Sequence, residues 1–312
     1  FEVGRKTFTL NTQYCDFSPH LHGVGTHRHH LFSALYEKAI AQGAKVIADC
    51  EVVAIEQEGV KSCLISSNNT RFEGFDLVID ASGTNSLLRE AYAPIKRNKP
   101  YPYSALWAIV ELPDGADTHI LHQRFKKAKR MIGLLPVGRS TESGNELAAF
   151  FWSICAADYD QWHQTPLSHW KEEVLAIWPE IGAIMEQFKT HNDMTFTTYR
   201  DVVLHQPYRG NLVFIGDSAH CTSPQLGQGA NLALVDALVL SECVTEAATV
   251  DEMLALYHKR RKNHVRFYQM ASHYLTPFFQ SDSWLFAKLR FFTCDIPCRI
   301  PLSRNVAAQV LC

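Results

Sequence analysis

Apolar residues recur along this chain in three textures, and each predicts a different element. Behind Thr26, in N-cap position, Leu31, Leu35 and Ala39 fall at helical spacing and Gly43 supplies a stop, so residues 27 to 42 are expected to form an amphipathic helix. AKVIADC (44–50) reads as a strand. EVVAIEQEG, VKSCLISS and TRFEG follow as short β-rich runs separated by turn residues, which predicts an antiparallel meander. In DLVIDASG the apolar residues Leu77, Val78 and Ile79 are continuous rather than alternating. That is the pattern of a parallel strand buried on both faces, and it stops at Ser82 and Gly83.

From about residue 97 the texture turns to aromatic-rich strands such as SALWAIVEL and ELAAFFWSI, with one helix around HWKEEVLAIW. At 211 the buried-strand pattern returns in NLVFIG, followed by a glycine-rich turn and an apolar helix through Leu232, Val235, Leu238 and Val239. The α/β pattern flanks the middle segment, so a discontinuous first domain (1–96 and 200–312) with a β-sheet domain inserted at 97–199 is expected. The chain opens on the strand-like FEVGRKTFTL without a start signal and reads as a fragment whose natural protein begins upstream.

Composition narrows the partners. With 46% hydrophobic and 11% aromatic residues among 312, the chain can bury a large core. Its formal charge of -2 supplies no field to attract nucleic acid, so small-molecule chemistry is the expectation. The nine cysteines are scattered without a C-x-x-C pair and are expected to be reduced, in the cytoplasm. No apolar run approaches the roughly 18 residues needed to span a bilayer.

Candidate chemistry concentrates in residues 211 to 236, NLVFIGDSAHCTSPQLGQGANLALVD. A strand ending in Gly216-Asp217 places a carboxylate at the carboxyl edge of a parallel sheet, where ligands bind in open α/β folds. A carboxylate accepts hydrogen bonds from sugar hydroxyls and repels phosphate, so a ribose or ribityl chain suits it better than a pyrophosphate. After Pro224, Gly227 and Gly229 flank Gln228 and allow close approach of backbone to a ligand, while Asn231 stands at the start of a helix whose free N–H groups favour negative charge.

The segment GDSAHCTSPQLGQGANLALVDA resembles the second flavin-binding signature of the FAD-dependent aromatic hydroxylases, single-component flavoprotein monooxygenases related to para-hydroxybenzoate hydroxylase. THRHHLFSAL, with Arg28 and Leu31, is similar to that family's Arg-x-x-Leu helix start near the FAD. DLVIDASGTNSLLR, with Gly83 and Arg89, resembles its central Asp-Gly motif, and the tail from Tyr257 to Leu289 has the family's look. The resemblance implies a Rossmann-like FAD-binding domain carrying an inserted, mostly antiparallel substrate domain. It implies FAD contacts at Arg28, Gly83, Arg89, Gly216, Asp217, Pro224, Gly227, Gln228, Gly229 and Asn231, with Asp217 on the ribityl chain and 224–231 beside the isoalloxazine ring. It further implies an NAD(P)H-dependent monooxygenase in which a flavin C4a-hydroperoxide hydroxylates an aromatic or related small substrate with O2. No catalytic side chain is singled out, and a base for a phenol would belong to the middle domain.

Two departures stand out. The family's opening strand, G-x-G-x-x-G and helix, which cradle the FAD pyrophosphate, have no counterpart; His22 to Thr26 (HGVGT) precedes a helix without a buried strand before it. The first βαβ unit is thus missing from the expected domain. Ser82 stands where the hydroxylases usually have aspartate, with Asp80 two residues earlier, an arrangement closer to flavin-dependent halogenases and isoprenoid reductases. Those enzymes remain the alternative, although no W-x-W-x-I-P signature occurs; a truncated or degenerate FAD-fold protein is the non-enzymatic reading.

Other clusters carry weaker expectations. His20, His22, His27, His29 and His30 surround Arg28, whose fixed charge disfavours a metal, and no metal site is expected. RFKKAKR (124–130) is expected as a solvated face, with contact to an NADPH 2′-phosphate the minority reading. Trp107, Phe151 and Trp152 are expected in core packing, with substrate lining second. The tail mixes bulky apolar residues with Lys and Arg, leaving peripheral membrane contact open without a clean amphipathic stripe to support it.

Overall fold

The computed structural model describes residues 13–290; the opening FEVGRKTFTL stretch and the end of the tail lie outside them. In chain order the elements are α1 (Arg28–Ala41), β1 (Val52–Glu58), β2 (Lys61–Ser66), β3 (Arg71–Phe75), β4 (Val78–Asp80), α2 (Leu87–Tyr92), β5 (Ile95–Pro100), β6 (Tyr103–Glu111), β7 (His122–Lys126), β8 (Arg130–Arg139) and β9 (Glu146–Cys155). They continue with α3 (Tyr159–Gln164), α4 (Leu167–Ile177), α5 (Gly182–Met185), β10 (Thr195–Thr197), β11 (Arg200–Leu204), β12 (Tyr208–Arg209), β13 (Leu212–Phe214), α6 (Asp217–His220), α7 (Gly229–Glu246), α8 (Val250–Phe279) and α9 (Trp284–Arg290).

The chain divides into two compact units. The α/β unit comprises Val46–Tyr101 and Tyr199–Leu275. Its expected meander is present as β1-β2-β3, antiparallel throughout. A second sheet, β12-β13-β4, contains the parallel pair anticipated from the two continuous apolar runs, with Leu212 opposite Val78 and Phe214 opposite Asp80. Val78, Leu212 and Phe214 pack on one face with Leu88 and Ala219, whereas Val213 faces Leu240, Cys243, Leu254 and Tyr257 of α7 and α8. β5 and β11 form an antiparallel pair of their own.

Two expectations require correction here. Residues 44–50 form no strand, and Val46 and Ile47 are 55% and 62% exposed. A strand exists only as one side of a ladder, and among the described residues no partner lies alongside AKVIADC. Ile79 is not buried but 47% exposed. Among the described residues β4 is the last strand of its sheet, one strand further out than Val213, which packs against α7 and α8.

The sheet unit comprises the described residues up to Lys45, Pro102–Thr198 and the residues from Thr276. Its five-stranded antiparallel sheet runs β10-β6-β9-β8-β7, with β6 and β9 in register from Tyr103/Cys155 to Glu111/Leu147. Alternation along these strands divides their side chains between two faces. Leu106, Ala108, Phe150, Trp152 and Ile154 form a core with Trp170 and Val174 of α4 and with Ile184, Met185 and Phe188. Phe150 and Trp152 both meet Trp170 edge-on, at centroid distances of 6.1 and 6.3 Å. Burying such aromatic area stabilises this unit. Trp152 therefore packs as expected. Trp107 and Phe151 pair on the opposite face, half-buried. The helix expected over 27–42 is present as α1, capped by the ring of His27, which accepts the His29 N–H, rather than by Thr26. It is not the amphipathic helix expected: none of its residues is buried, and Leu35 and Ala39 are exposed.

Gly133 lies under the Phe151 ring: a Cβ at that position would come within 2.0 Å of the ring. Gly133→Ala is expected to cost about 1–3 kcal/mol in a denaturant titration, the usual cost of overpacking. Because Phe151 causes the clash, Gly133→Ala/Phe151→Ala should be no less stable than Phe151→Ala alone.

Candidate flavin site

The carboxyl ends of β4 and β13 lie side by side, and each continues into a tight turn. After Ile215 the chain enters Gly216 at φ +59 and ψ −141, a conformation closed to residues with a side chain. A Cβ there would also press on Ala233 of α7 at 3.1 Å. The Gly216 carbonyl accepts the N–H groups of Ala219 and His220 at 3.0 and 2.9 Å, which starts α6. Asp217 follows with an exposed carboxylate that no described side chain engages. It stands beside α7, for a Cβ on Gly229 would lie 3.9 Å from Asp217 Oδ1.

A 3-10 turn at Pro224–Leu226 precedes α7 and ends on Gly227 in the left-handed conformation, φ +64. Gln228 is the N-cap of α7 but gives no side-chain cap; its Oε1 accepts Asn231 Nδ2 at 3.0 Å. The first N–H groups of this 18-residue helix, at Gly229, Ala230 and Asn231, have no intrahelical acceptor, and these three residues and Gly227 are exposed. An open helix terminus of this kind favours negative charge.

The other turn is built on Asp80. Its Oδ1 accepts the N–H and hydroxyl of Ser82, at 2.9 and 2.6 Å, and its Oδ2 accepts the Ser86 hydroxyl. Ser82 thus closes a hydrogen-bonded turn onto Asp80, and Gly83 leaves that turn at φ +87. Ser86 caps α2 by accepting the Arg89 N–H at 2.9 Å. Arg89 is buried, and its guanidinium donates to the carbonyls of Thr84 (2.7 Å), Ser218 (3.3 Å) and Asp217 (3.5 Å). Ser218 donates to the Asp80 carbonyl at 2.6 Å. These bonds tie the 80–89 loop to the 216–220 turn. Cys221 is held near Thr84 at 3.4 Å, and burial pushes its thiol up.

The α/β unit therefore gathers Gly83, Arg89, Gly216, Asp217, Pro224, Gly227, Gln228, Gly229 and Asn231 around the ends of two parallel strands. Arg28 belongs to the sheet unit, as the exposed first residue of α1. The basic run is largely engaged within the sheet unit: Arg124 lies over Trp178, Arg130 over Trp152 and against Glu173, and Lys129 against Asp282. His27, His29 and His30 pack ring against ring at 5.7–6.3 Å. Among the described residues, Glu58, Cys63 and Glu73 bring three possible metal-ligand atoms within 4.8 Å, but Arg71 is paired to both glutamates and to Glu56.

Sequence reasoning missed the support beneath this site. Asp236, fully buried on α7, accepts the Gly216 N–H (2.9 Å), His220 Nε2 (2.6 Å) and Arg261 Nε (2.7 Å). Burial pushes its carboxyl up, but the His220 bond and charge, the Gly216 N–H and Arg261 outweigh it and hold the group below the usual carboxylate range. Burial beside the Asp236 charge raises the Tyr257 phenol. The visible hints were the Asp236 that closes the glycine-rich signature and the Arg260-Arg261 pair.

A carboxylate whose folded pKa is depressed stabilises the fold above its unfolded pKa, about 3.9, and that contribution is lost as pH falls through the folded value. Stability measured by urea titration should therefore fall between about pH 5 and pH 2 more steeply in the unaltered chain than in Asp236→Asn. At neutral pH, Asp236→Asn should cost about 3–5 kcal/mol, because Arg261 is left buried without its anion.

A sequence model described as an FAD binding domain matches residues 18–271. The FAD-dependent monooxygenase OpS4 of Beauveria bassiana is 26% identical over 248 residues, which are 76% of this chain and 57% of OpS4. The FAD-dependent monooxygenase penM of Penicillium crustosum is 30% identical over 163 residues, 43% of this chain and 35% of penM. The chain thus spans little more than half the length of such relatives, or less. In three dimensions it is similar to Klebsiella pneumoniae HpxO complexed with FAD and uric acid, with a TM-score of 0.72 at 18% identity, over 89% of this chain and 71% of HpxO. With the matched residues covering most of the chain and the parallel-strand site in place, this protein belongs to the FAD binding domain family.

Proposed function

We propose that this chain holds the ribityl and ring end of FAD in an NAD(P)H-dependent monooxygenase that hydroxylates an aromatic or related small organic substrate. The observation that carries the reading is the exposed, unengaged carboxylate of Asp217 beside the open N-terminus of α7, at the carboxyl ends of β4 and β13. The donor set suits that part of the cofactor. Asp217 would accept hydrogen bonds from ribityl hydroxyls. Gly227 and Gly229 allow the backbone to approach the ring, and the N–H groups at 229–231 would stabilise negative charge on its pyrimidine side. Gly83 and Arg28 are further proposed contacts. Arg89 acts by holding the carbonyls of 84, 217 and 218 in place, and Pro224, Gln228 and Asn231 shape the ring-side loop.

FAD, when bound, supplies the chemistry of electron transfer from NAD(P)H and of O2 activation. The chain's part is to bind and orient it, to place substrate beside the ring and to keep water out. Residues 97–199 are proposed as the substrate domain, with Trp107 and Phe151 offering an aromatic wall on the face of the sheet away from its core. Residues 1–96 and 200–312 are proposed as the two parts of the FAD-binding domain, and the cytoplasm as the location. Relatives named FAD-dependent monooxygenases, and a solved neighbour containing FAD and uric acid, support this reading.

The purified chain should quench flavin fluorescence on titration with FAD and turn yellow, and Asp217→Ala should weaken the affinity by about 10- to 100-fold, since hydrogen bonds to a charged group contribute about 1.5–3 kcal/mol. NAD(P)H oxidation by the full-length protein should rise when an aromatic substrate is added. A colourless protein indifferent to FAD would end the proposal, and halide-dependent product formation would move the assignment to the halogenases.

A further inference from the structure

Asp236 sits two turns into α7, yet its side chain reaches back to the turn between β13 and α6. Its acceptor positions are filled from three directions: the Gly216 N–H and His220 Nε2 on Oδ2, and Arg261 Nε of α8 on Oδ1. Arg261 is fixed in turn by the Leu232 carbonyl at 3.3 Å and by contact with His264 Nδ1. The backbone N–H that Asp236 holds belongs to a glycine in a sparsely populated conformation, which persists only where its surroundings impose it. The dihedral angles of Gly216 set where the next residue points, and the next residue is Asp217.

We propose that Asp236 is a positioning residue for the ribityl chain of the cofactor. Oriented by His220 and Arg261, it locks the Gly216 N–H and so fixes the direction in which Asp217 presents its carboxylate to the sugar-like hydroxyls. The inference rests on the FAD reading above. It assigns Asp236 no contact with the cofactor; its whole effect on binding passes through Asp217.

That restriction makes it testable with three probes on the full chain: FAD, riboflavin, and lumiflavin, which has the same ring without the ribityl chain. Asp236→Asn is compared with the unaltered chain, with Asp217→Ala, and with the combination of the two. The paired replacement Asp236→Leu/Arg261→Met removes both buried charges together and carries the test if Asp236→Asn does not fold. The Kd for FAD and for riboflavin should rise about tenfold or more, about 1.4 kcal/mol, while that for lumiflavin stays unchanged. Adding Asp236→Asn to Asp217→Ala should cause no further loss. Equal weakening of all three probes, or a loss that adds to that of Asp217→Ala, would show that Asp236 only maintains the fold and would overturn the proposal, as would unchanged riboflavin binding in the Asp236 variants. If the unaltered chain binds none of the three, the FAD reading itself falls and takes this inference with it, a result distinct from any variant-specific one.

Discussion

A buried carboxylate must have its hydrogen bonds filled, and in the α/β unit that requirement falls on Asp80, on Asp201 and, most deeply, on Asp236. Its donors come from the β13–α6 turn, from α6 and from α8, so meeting it brings these elements to one arrangement. Arg89 does the same from the other side with the sign of charge reversed, gathering carbonyls from the 80–89 loop and the 216–220 turn. Between a buried anion and a buried cation the backbone of Gly216 to Ser218 is held at both its N–H and carbonyl groups. Only the carboxylate of Asp217 is left facing outward.

The parts of this site legible in the sequence were those whose residue type answers to local backbone geometry. Gly216, Gly227 and Gly229 punctuate a strand, a left-handed turn and a helix start within fourteen residues, and such punctuation can be read without knowing the fold. The continuous apolar runs before Gly83 and Gly216 announced the parallel pair for a similar reason. Asp236 and Arg261 were not legible, because a buried ion pair and an exposed one use the same letters and these two lie 25 residues apart. Ser82 looked like a departure from a motif; the structure makes it a donor to Asp80, closing the turn from within. AKVIADC was misjudged because residue type reports a tendency, whereas a strand requires a partner.

The sheet unit follows another logic. Its side chains alternate between two faces, and its core is largely aromatic and aliphatic. Phe150, Trp152, Trp170 and Phe188 interlock edge to face on the helix side, while Trp107 and Phe151 occupy the reverse side above Gly133. Packing specifies one unit and hydrogen-bonded charge specifies the turns of the other. The sequence reading named only β6 and β9 of the five-stranded sheet and was thinnest beneath the turns, where partners must be known.

The tie between the two turns also has a temporal side. Ser218 binds the Asp80 carbonyl across 138 positions of sequence, and Arg89 reaches the Ser218 carbonyl across 129. Contacts of such separation must close long loops, and they slow folding accordingly. During synthesis the 80–89 loop leaves the ribosome long before its counterpart exists, with Arg89 and Asp80 still wet. Most of the sheet unit's sequence is made in that interval, so its strands can pair before the two turns of the α/β unit are joined.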